Sequence, residues 1–530
     1  MFKKLHAGTA LIISILFSVC FCIGMYFDRG KAFLINYYFV FKFLILTLLV
    51  FIIVLGLYSA FNFIGKKATK SNTKGRKFSI YIFENCKGKI VWLILVMMWL
   101  PNYILYIPGC LTVDAINQID QLATHHLTNH HPILTTLIEG PIILFAKKMG
   151  RLEFGVAIYI TLLFLFSSFI ISQGFRWMSK HQISYKIRWC ALVFFSIYPL
   201  WSAYARTLVK DTLFYPVFYV FMLYFLDILI EEHQFFKKKY KVLQFFGISL
   251  LLCLLRHNGF YVAAFSIAGL LWFCKNNRRR VFMLFVGLVL FWNIYNGILP
   301  SLGIEPGGKQ EMLSIPFQQT ARYVKEHRKE ISRKEKKAIN NVLNYEIIGK
   351  NYDPNLSDPV KNTYKRNDEA LGDYFKIWWK QFLKHPSTYI AATLNGTYGY
   401  YSYKDKIKNP CGYYEQPINY WNYDKYKISF VRTFHKGRDI YQNIIKNVYI
   451  DSIFKILTQP MLYNWFCLLV FSYFLQVKKL RKYWVAFVPF WISFLICLAS
   501  PVNGDLRYML PIMSSCFLYL SFLQERIQNG

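Results

Sequence analysis

The stretch Phe41-Lys-Phe-Leu-Ile-Leu-Thr-Leu-Leu-Val-Phe-Ile-Ile-Val-Leu-Gly-Leu57 decides the class of fold, because seventeen consecutive residues carry one charge, Lys42. A helix needs roughly 17–25 apolar residues to cross the hydrocarbon of a bilayer. The runs Leu11 to Met25, Ala157 to Ile171 and Val281 to Leu299 repeat the pattern. Backbone N–H and C=O groups in lipid must be satisfied within their own segment, so runs of this kind are helices. No alternating strands of a barrel are seen. The composition agrees: the chain has 530 residues, 55% of them hydrophobic and 19% aromatic.

The formal charge of +35 would point to nucleic acid in a soluble protein. Here the lysines and arginines cluster in short segments between apolar runs, which is the pattern that orients membrane proteins. The bilayer, rather than nucleic acid, is therefore the expected partner of the charge. The eleven cysteines are scattered, several inside apolar runs (Cys20, Cys22, Cys253, Cys497, Cys516), and none forms a CxxC pair. That argues against a zinc or redox motif built on cysteine. Only Cys110 and Cys411 fall in segments read as outside, where a disulfide between them is conceivable.

Lys3 and Lys4 place the N-terminus in the cytoplasm. No small-residue cleavage site follows Phe27, so the first apolar run reads as a retained helix rather than a signal peptide. Spans are expected near 8–27, 34–63, 90–107, 153–175, 187–205, 212–230, 242–256, 259–274, 281–299, 460–476, 484–499 and 508–523, twelve in all. The basic groups Lys66, Lys67, Lys70, Lys74, Arg76 and Lys77, then Arg176, Lys180, Lys186 and Arg188, then Lys237 to Lys239, Arg278 to Arg280, and Lys478 to Lys482 all fall inside. This parity requires the run Ile133 to Ala146, short and carrying Glu139 and Pro141, to lie along the outer surface. Both termini are then cytoplasmic.

Four regions follow. Residues 1–89 hold two N-terminal helices and a basic loop. Residues 90–299 form a transmembrane core whose first outer loop is 108–152. Residues 300–457 form a mixed outer segment between helices 9 and 10, and 458–530 are C-terminal helices. The outer segment is too long for a bare loop. It has helical periodicity from Gln310 to Asn344 and a turn or cap signal at Ser357-Asp358-Pro359. Its second half is dense in tyrosine (Tyr398, Tyr400, Tyr401, Tyr403, Tyr413, Tyr414, Tyr420, Tyr423), which suits either an aromatic layer at the membrane boundary or a surface on which sugars stack.

This threading gathers the costly residues on one face: Asp114, Asp120, His125, His126, His130, His131, Arg206, Lys210, Asp211, Arg256, His257, Asn258, Asp505 and Arg507. Ionisable groups at membrane depth are functional candidates by default. A carboxylate in a water-accessible pocket can deprotonate a hydroxyl or hold a divalent cation. Guanidinium and ammonium groups at the boundary suit a phosphate. Each residue also has a plainer reading. Asp114 can cap a short helix, Lys210 and Asp211 can pair locally, and Arg507 can anchor a helix end. The four histidines match no standard metal spacing.

Pro108-Gly109 with Asp114, then His131-Pro132 opening a surface-lying helix, then many spans, resembles the GT-C type of membrane glycosyltransferase. Val209-Lys210-Asp211, Leu255-Arg256-His257-Asn258-Gly259, Ser314-Ile315-Pro316-Phe317-Gln318-Gln319, Ser357-Asp358-Pro359-Val360-Lys361 and Arg507-Tyr508 look like segments of a group of bacterial GT-C-like membrane proteins, over roughly 90–523. The resemblance implies an all-α polytopic fold with a GT-C-like core in a bacterial plasma membrane. It implies a polyprenyl-phosphate-linked sugar as donor and a cell-envelope acceptor on the outer face. Asp114 would correspond to the catalytic carboxylate, with Asp120 or Asp211 in support. Arg256, Lys210, Arg507, His257 and Asn258 would bind the donor phosphate, and His130 and His131 would position the acceptor. The usual paired acidic signature is absent, since Ala115 follows Asp114. The need for a divalent cation, Mg2+ or Mn2+, is thus left open. The rival expectation is a transporter or flippase of a lipid-linked or anionic substrate, although no internal repeat supports one.

Overall fold

The computed structural model describes residues 2–28, 37–64, 74–85, 88–407, 409–412 and 423–529. Lys66, Lys67 and Lys70 of the basic loop, and Tyr413, Tyr414 and Tyr420, lie outside them. Helices dominate what is described, and the one sheet joins two short parallel strands. Seven helices among the described residues are long and apolar enough to cross a membrane: Ala7–Phe27, Tyr37–Ile64, Leu152–Lys180, Lys210–Ile230, Arg278–Leu302, Arg481–Leu498 and Leu506–Asn529. An eighth arises if Lys77–Glu84 and Lys89–Leu105, bent by 87° at their junction, count as one. The other expected spans are shorter. Lys239–Leu255, His257–Phe273 and Pro460–Gln476 have 17 residues each, and Tyr185–Ile197 has 13 before Pro199 opens a new helix.

Apolar side chains sort these helices into shell and core. Tyr37–Ile64 exposes Leu44, Leu48, Leu49, Ile52 and Ile53, and Arg278–Leu302 exposes Phe282, Leu290 and Ile294. Open stripes of this size would aggregate in water but are what lipid covers. Leu506–Asn529, in contrast, is buried almost throughout. The chain is a multi-pass, all-helical membrane protein. Its centre is rich in large rings, with Trp99, Trp201, Tyr204, Tyr215 and Tyr219 fully buried.

The short run after the first loop forms helix Ile133–Lys148, 16 residues long. It buries Thr135, Thr136, Glu139 and Ile143 while exposing Leu137, Ile138 and Phe145. One face thus packs on protein and the other is apolar and open.

Residues 300–457 hold a helical unit with its own core. Phe317, Ala321 and Val324 of Ser314–Glu326 pack with Ile339 and Val342 of Arg333–Val342, with Ile348, and with Tyr374 of Leu371–Lys384. Ser332 and Glu335 form a capping box that starts Arg333–Val342. Asp358–Lys361 begins at Ser357, so the turn signal there does mark a helix start. The tyrosine-rich part is not an open stacking surface where it is described. Tyr398 and Tyr400 are buried, and the Tyr400 hydroxyl donates to Val502 O at 2.8 Å. Those rings are spent on packing: Tyr400 lies over the loop that precedes Leu506–Asn529, and Tyr398 stacks with Phe27 of the first helix, centroids 6.4 Å apart. Cys110 and Cys411 are not joined by a disulfide; the Cys110 thiol instead accepts from Arg206 Nη1 at 2.8 Å.

Candidate functional site

The two strands set the site. Cys110–Leu111 pairs in parallel with Thr207–Leu208, and each strand runs within two residues into a helix, Val113–Ala123 and Lys210–Ile230. Parallel pairing therefore lays two helix N-termini side by side. Thr112 fixes the first, donating its hydroxyl to Leu208 O at 2.8 Å and accepting from Ala115 N at 3.3 Å. Asp114 lies in the first turn of one helix, and Lys210 and Asp211 in the first turn of the other.

Three more helix starts join them. Arg256 is the residue between Lys239–Leu255 and His257–Phe273, held extended at φ −156°. The turn is tight because Gly259 lies against the preceding helix, where an added Cβ would sit 2.1 Å from Leu252 O. Arg507 belongs to the first turn of Leu506–Asn529, and His131 precedes Pro132, which caps Ile133–Lys148. Partial positive charge collects at helix N-termini, which favours anions there.

The side chains meet in one network. Arg507 spans two carboxylates, with Nη1 3.2 Å from Asp114 Oδ2 and Nε 3.1 Å from Asp211 Oδ2. Arg256 Nη1 lies 3.1 Å from Asp211 Oδ1. Lys210 Nζ stands 3.8 Å from Asp114 Oδ2 and 2.8 Å from His131 Nδ1. Lys210 thus reaches Asp114 and His131, not its neighbour in sequence. The Asp211 side chain is 2% exposed, and neither of its oxygens has an aligned hydrogen-bond donor. Its two guanidinium contacts are ion pairs, not forks. The Arg256 guanidinium also lies over the Tyr508 ring, 5.2 Å from its centroid. Asp505 accepts from Arg507 N at 2.9 Å. Asp114, Asp211 and Asp505 therefore balance Lys210, Arg256 and Arg507 in formal charge.

Burial alone would push the Asp114 carboxyl up, but Arg507 and Lys210 reverse this and hold it well below the usual carboxylate range. His131 is displaced the other way. Burial, with the Lys210 ammonium adding to it, keeps the imidazole neutral far below its ordinary titration range. A neutral His131 accepts the Lys210 proton at Nδ1, which leaves Nε2 as the donor.

The remaining residues expected at the site divide. His130 stacks edge-on against His131 at 4.6 Å, and His257 Nε2 lies 2.9 Å from Asn129 O, so both edge the network through the 127–131 loop. Asn258 is half-buried in the first turn of His257–Phe273. Asp120 does not belong. It pairs with Lys425 and accepts from the Tyr426 hydroxyl at 3.2 Å. Six residues beyond Asp114 on a helix is about 240° around the axis, which turns Asp120 to another face.

The quoted segments of the 300–457 unit act at one remove. Gln318 Nε2 donates to Asp353 O at 2.8 Å and to Leu356 O at 3.0 Å. That turn grips the loop before Arg507, since Ser357 N donates to Pro501 O at 2.8 Å and Asn503 N to Asn355 O at 3.0 Å. Lys361, nearly buried, is held by Glu311 at 2.6 Å and Asp358 at 2.8 Å.

Glu139 was absent from the sequence-based candidates, though a carboxyl amid an apolar run is itself a signal. It is fully buried, and the Gln118 amide reaches its Oε1 at 3.2 Å. Burial, reinforced by the Asp114 charge, raises its pKa to about 8. It is a neutral acid behind an ionised one.

Residues 121–529 match a family of unknown function, DUF6020, and the chain belongs to that family. Asp114 and Asp120 precede the matched residues; the other site residues lie within them. No curated protein and no solved structure matches the chain.

Proposed function

We propose that this member of DUF6020 is a membrane glycosyltransferase of the GT-C type. It moves a sugar from a polyprenyl-phosphate donor to a cell-envelope acceptor on the outer face of a bacterial plasma membrane. On this reading the bent pair and the four shorter helices also cross, giving twelve spans, with both termini in the cytoplasm and residues 300–457 outside, where they recognise the acceptor.

One observation carries the reading: Arg507 is divided between Asp114 and Asp211, with Lys210 and Arg256 beside it, where four helices begin. Arg507 divides its guanidinium between two carboxylates and Arg256 meets one through a single nitrogen, and guanidinium groups held this way can turn to a phosphate. The balanced charge of the resting network favours exchange over simple addition. An entering phosphate competes with Asp114 for Arg507 and Lys210. Released from them, Asp114 regains basicity and can act on the acceptor. The acceptor hydroxyl oxygen then bonds to the anomeric carbon of the donor sugar. The bond from that carbon to the phosphate oxygen breaks, its electron pair stays on the phosphate, and the hydroxyl proton passes to Asp114. Arg256, Arg507 and Lys210 stabilise the charge that grows on the phosphate as it leaves. Asp211 holds the two arginines in place.

The test is donor cleavage in reconstituted vesicles, supplied with a panel of polyprenyl-phosphate sugars and an acceptor extract, with and without Mg2+ or Mn2+. The reading expects free polyprenyl phosphate to appear, and Arg507→Gln to slow its release by more than tenfold. Donor that crosses the bilayer uncleaved would replace this reading with a flippase.

A further inference from the structure

A second cluster lies in the 300–457 unit, away from the network above. His327 ends helix Ser314–Glu326, and Glu330 follows it on a short turn, Arg328–Glu330. His385 stands where Pro386 separates Leu371–Lys384 from Pro386–Thr397. Two helix ends and a turn thus bring together residues 55 positions apart. The imidazoles stack at 3.8 Å with planes 13° apart. Between them lies one carboxylate: Glu330 Oε1 is 3.1 Å from His327 Nδ1, and Oε2 is 3.0 Å from His385 Nε2.

Hydrogen bonds fix how His327 faces this cluster. The Thr388 hydroxyl donates to Glu326 Oε2 at 2.9 Å, and Glu326 is held in turn by Arg322 Nε at 2.8 Å. With its proton so used, Thr388 Oγ1 can only accept from His327 Nε2–H, 3.0 Å away. Nδ1 is then the ring nitrogen turned toward the Glu330 carboxylate, 3.1 Å away. An imidazole that donates one N–H to an oxygen and turns its other nitrogen to an acidic partner is how metal-binding histidines are set.

We propose that His327, Glu330 and His385 bind one divalent transition-metal ion, zinc by the character of the set. Two imidazoles and a carboxylate are zinc ligands. Their donor atoms lie within 4.8 Å of one another, and a tetrahedral ion would draw them to roughly 3.3 Å. The fourth position faces solvent, since the three side chains are 20%, 42% and 27% exposed. Lys384, whose ammonium sits 2.7 Å from Glu330 Oε2, competes with the metal from a half-exposed side chain.

The experiment uses the full-length, untagged chain in detergent, stripped with chelator and titrated with Zn2+ by calorimetry and with Co2+ by absorption. One equivalent is expected, with tetrahedral Co2+ bands. Binding is lost in His327→Ala and His385→Ala, weakens 10–100-fold in Thr388→Val, and tightens in Lys384→Ala, a surface change that leaves the unit folded. Sub-stoichiometric binding in both the native chain and Lys384→Ala would overturn the proposal. So would binding that survives loss of both histidines.

Discussion

Arg256 and Asp211 show what a single pair does in this protein. Both side chains are under a tenth exposed, and each is the other's contact at 3.1 Å. Removing one partner of a buried ion pair costs up to about 3–5 kcal/mol where it strands the other, and here Arg507, 3.1 Å from Asp211 Oδ2, keeps part of that cost from being felt. Arg256→Ala is expected to lower the unfolding temperature sharply in detergent, and Arg256→Ala with Asp211→Asn to regain a good part of the loss. A double variant no more stable than the single one would show that the pair is not coupled. Glu139 makes a separate prediction. At pH below its unfolded value of 4.5 the carboxyl is protonated whether or not the chain is folded, and burial costs nothing. As pH rises toward its folded value of about 8, only the unfolded chain gains by ionising, so stability falls. Its loss approaches about 5 kcal/mol at most once pH passes 8. Glu139→Gln should match the native chain near pH 4 and melt at higher temperature at pH 9; equal melting at both values would contradict the burial argument. Most site residues were legible as residues, because charge is expensive beside apolar runs. Glu139 was not singled out because it lies within a run whose helix, not its chemistry, drew attention. Asp120 was misplaced because sequence closeness to Asp114 says nothing about the face of a helix.

At the scale of elements, the site is a meeting of helix starts, and the chain's own backbone arranges it. The parallel pairing of Cys110–Leu111 with Thr207–Leu208 was invisible in the sequence, since two residues per strand carry no periodicity. Yet it puts Asp114 beside Lys210. The turn at Arg256 was legible, because the apolar runs on either side are short. The reason for Gly259 was not: it is the approach of Leu252 O from the preceding helix. Gly259→Ala must push those helices apart and move Arg256 off Asp211, at a cost of about 1–3 kcal/mol. Ser at the same position should do likewise, whereas Gly247→Ala, with no neighbour within 4 Å of the added carbon, should leave melting unchanged. Similar melting of Gly259→Ala and Gly247→Ala would refute the packing argument. The link from Gln318 through the 353–357 turn to the loop before Arg507 explains why distant polar segments serve one site.

At the scale of the whole molecule, run length was enough to identify a multi-pass membrane protein, and seven helices among the described residues meet that test outright. The shorter ones end early at Pro199, at Arg256 and at the boundaries of the site, where irregular backbone is buried in protein rather than lipid. The 300–457 segment was legible as helical in its first half, where charges alternate with apolar positions. Its tyrosines were not, since Tyr400 is covered by a loop a hundred residues away and Tyr398 by Phe27 of the first helix. On the proposed reading, the network around Asp114 performs chemistry on a donor phosphate, and donor binding and sugar release measured in the same preparations of native protein and Asp114→Asn separate that role from a purely structural one. The variant is expected to bind polyprenyl-phosphate sugar as well as the native chain or better, because Arg507 and Lys210 no longer pair with that carboxylate, while its turnover falls by 100-fold or more. Turnover in Asp114→Asn equal to that of the native protein would contradict it.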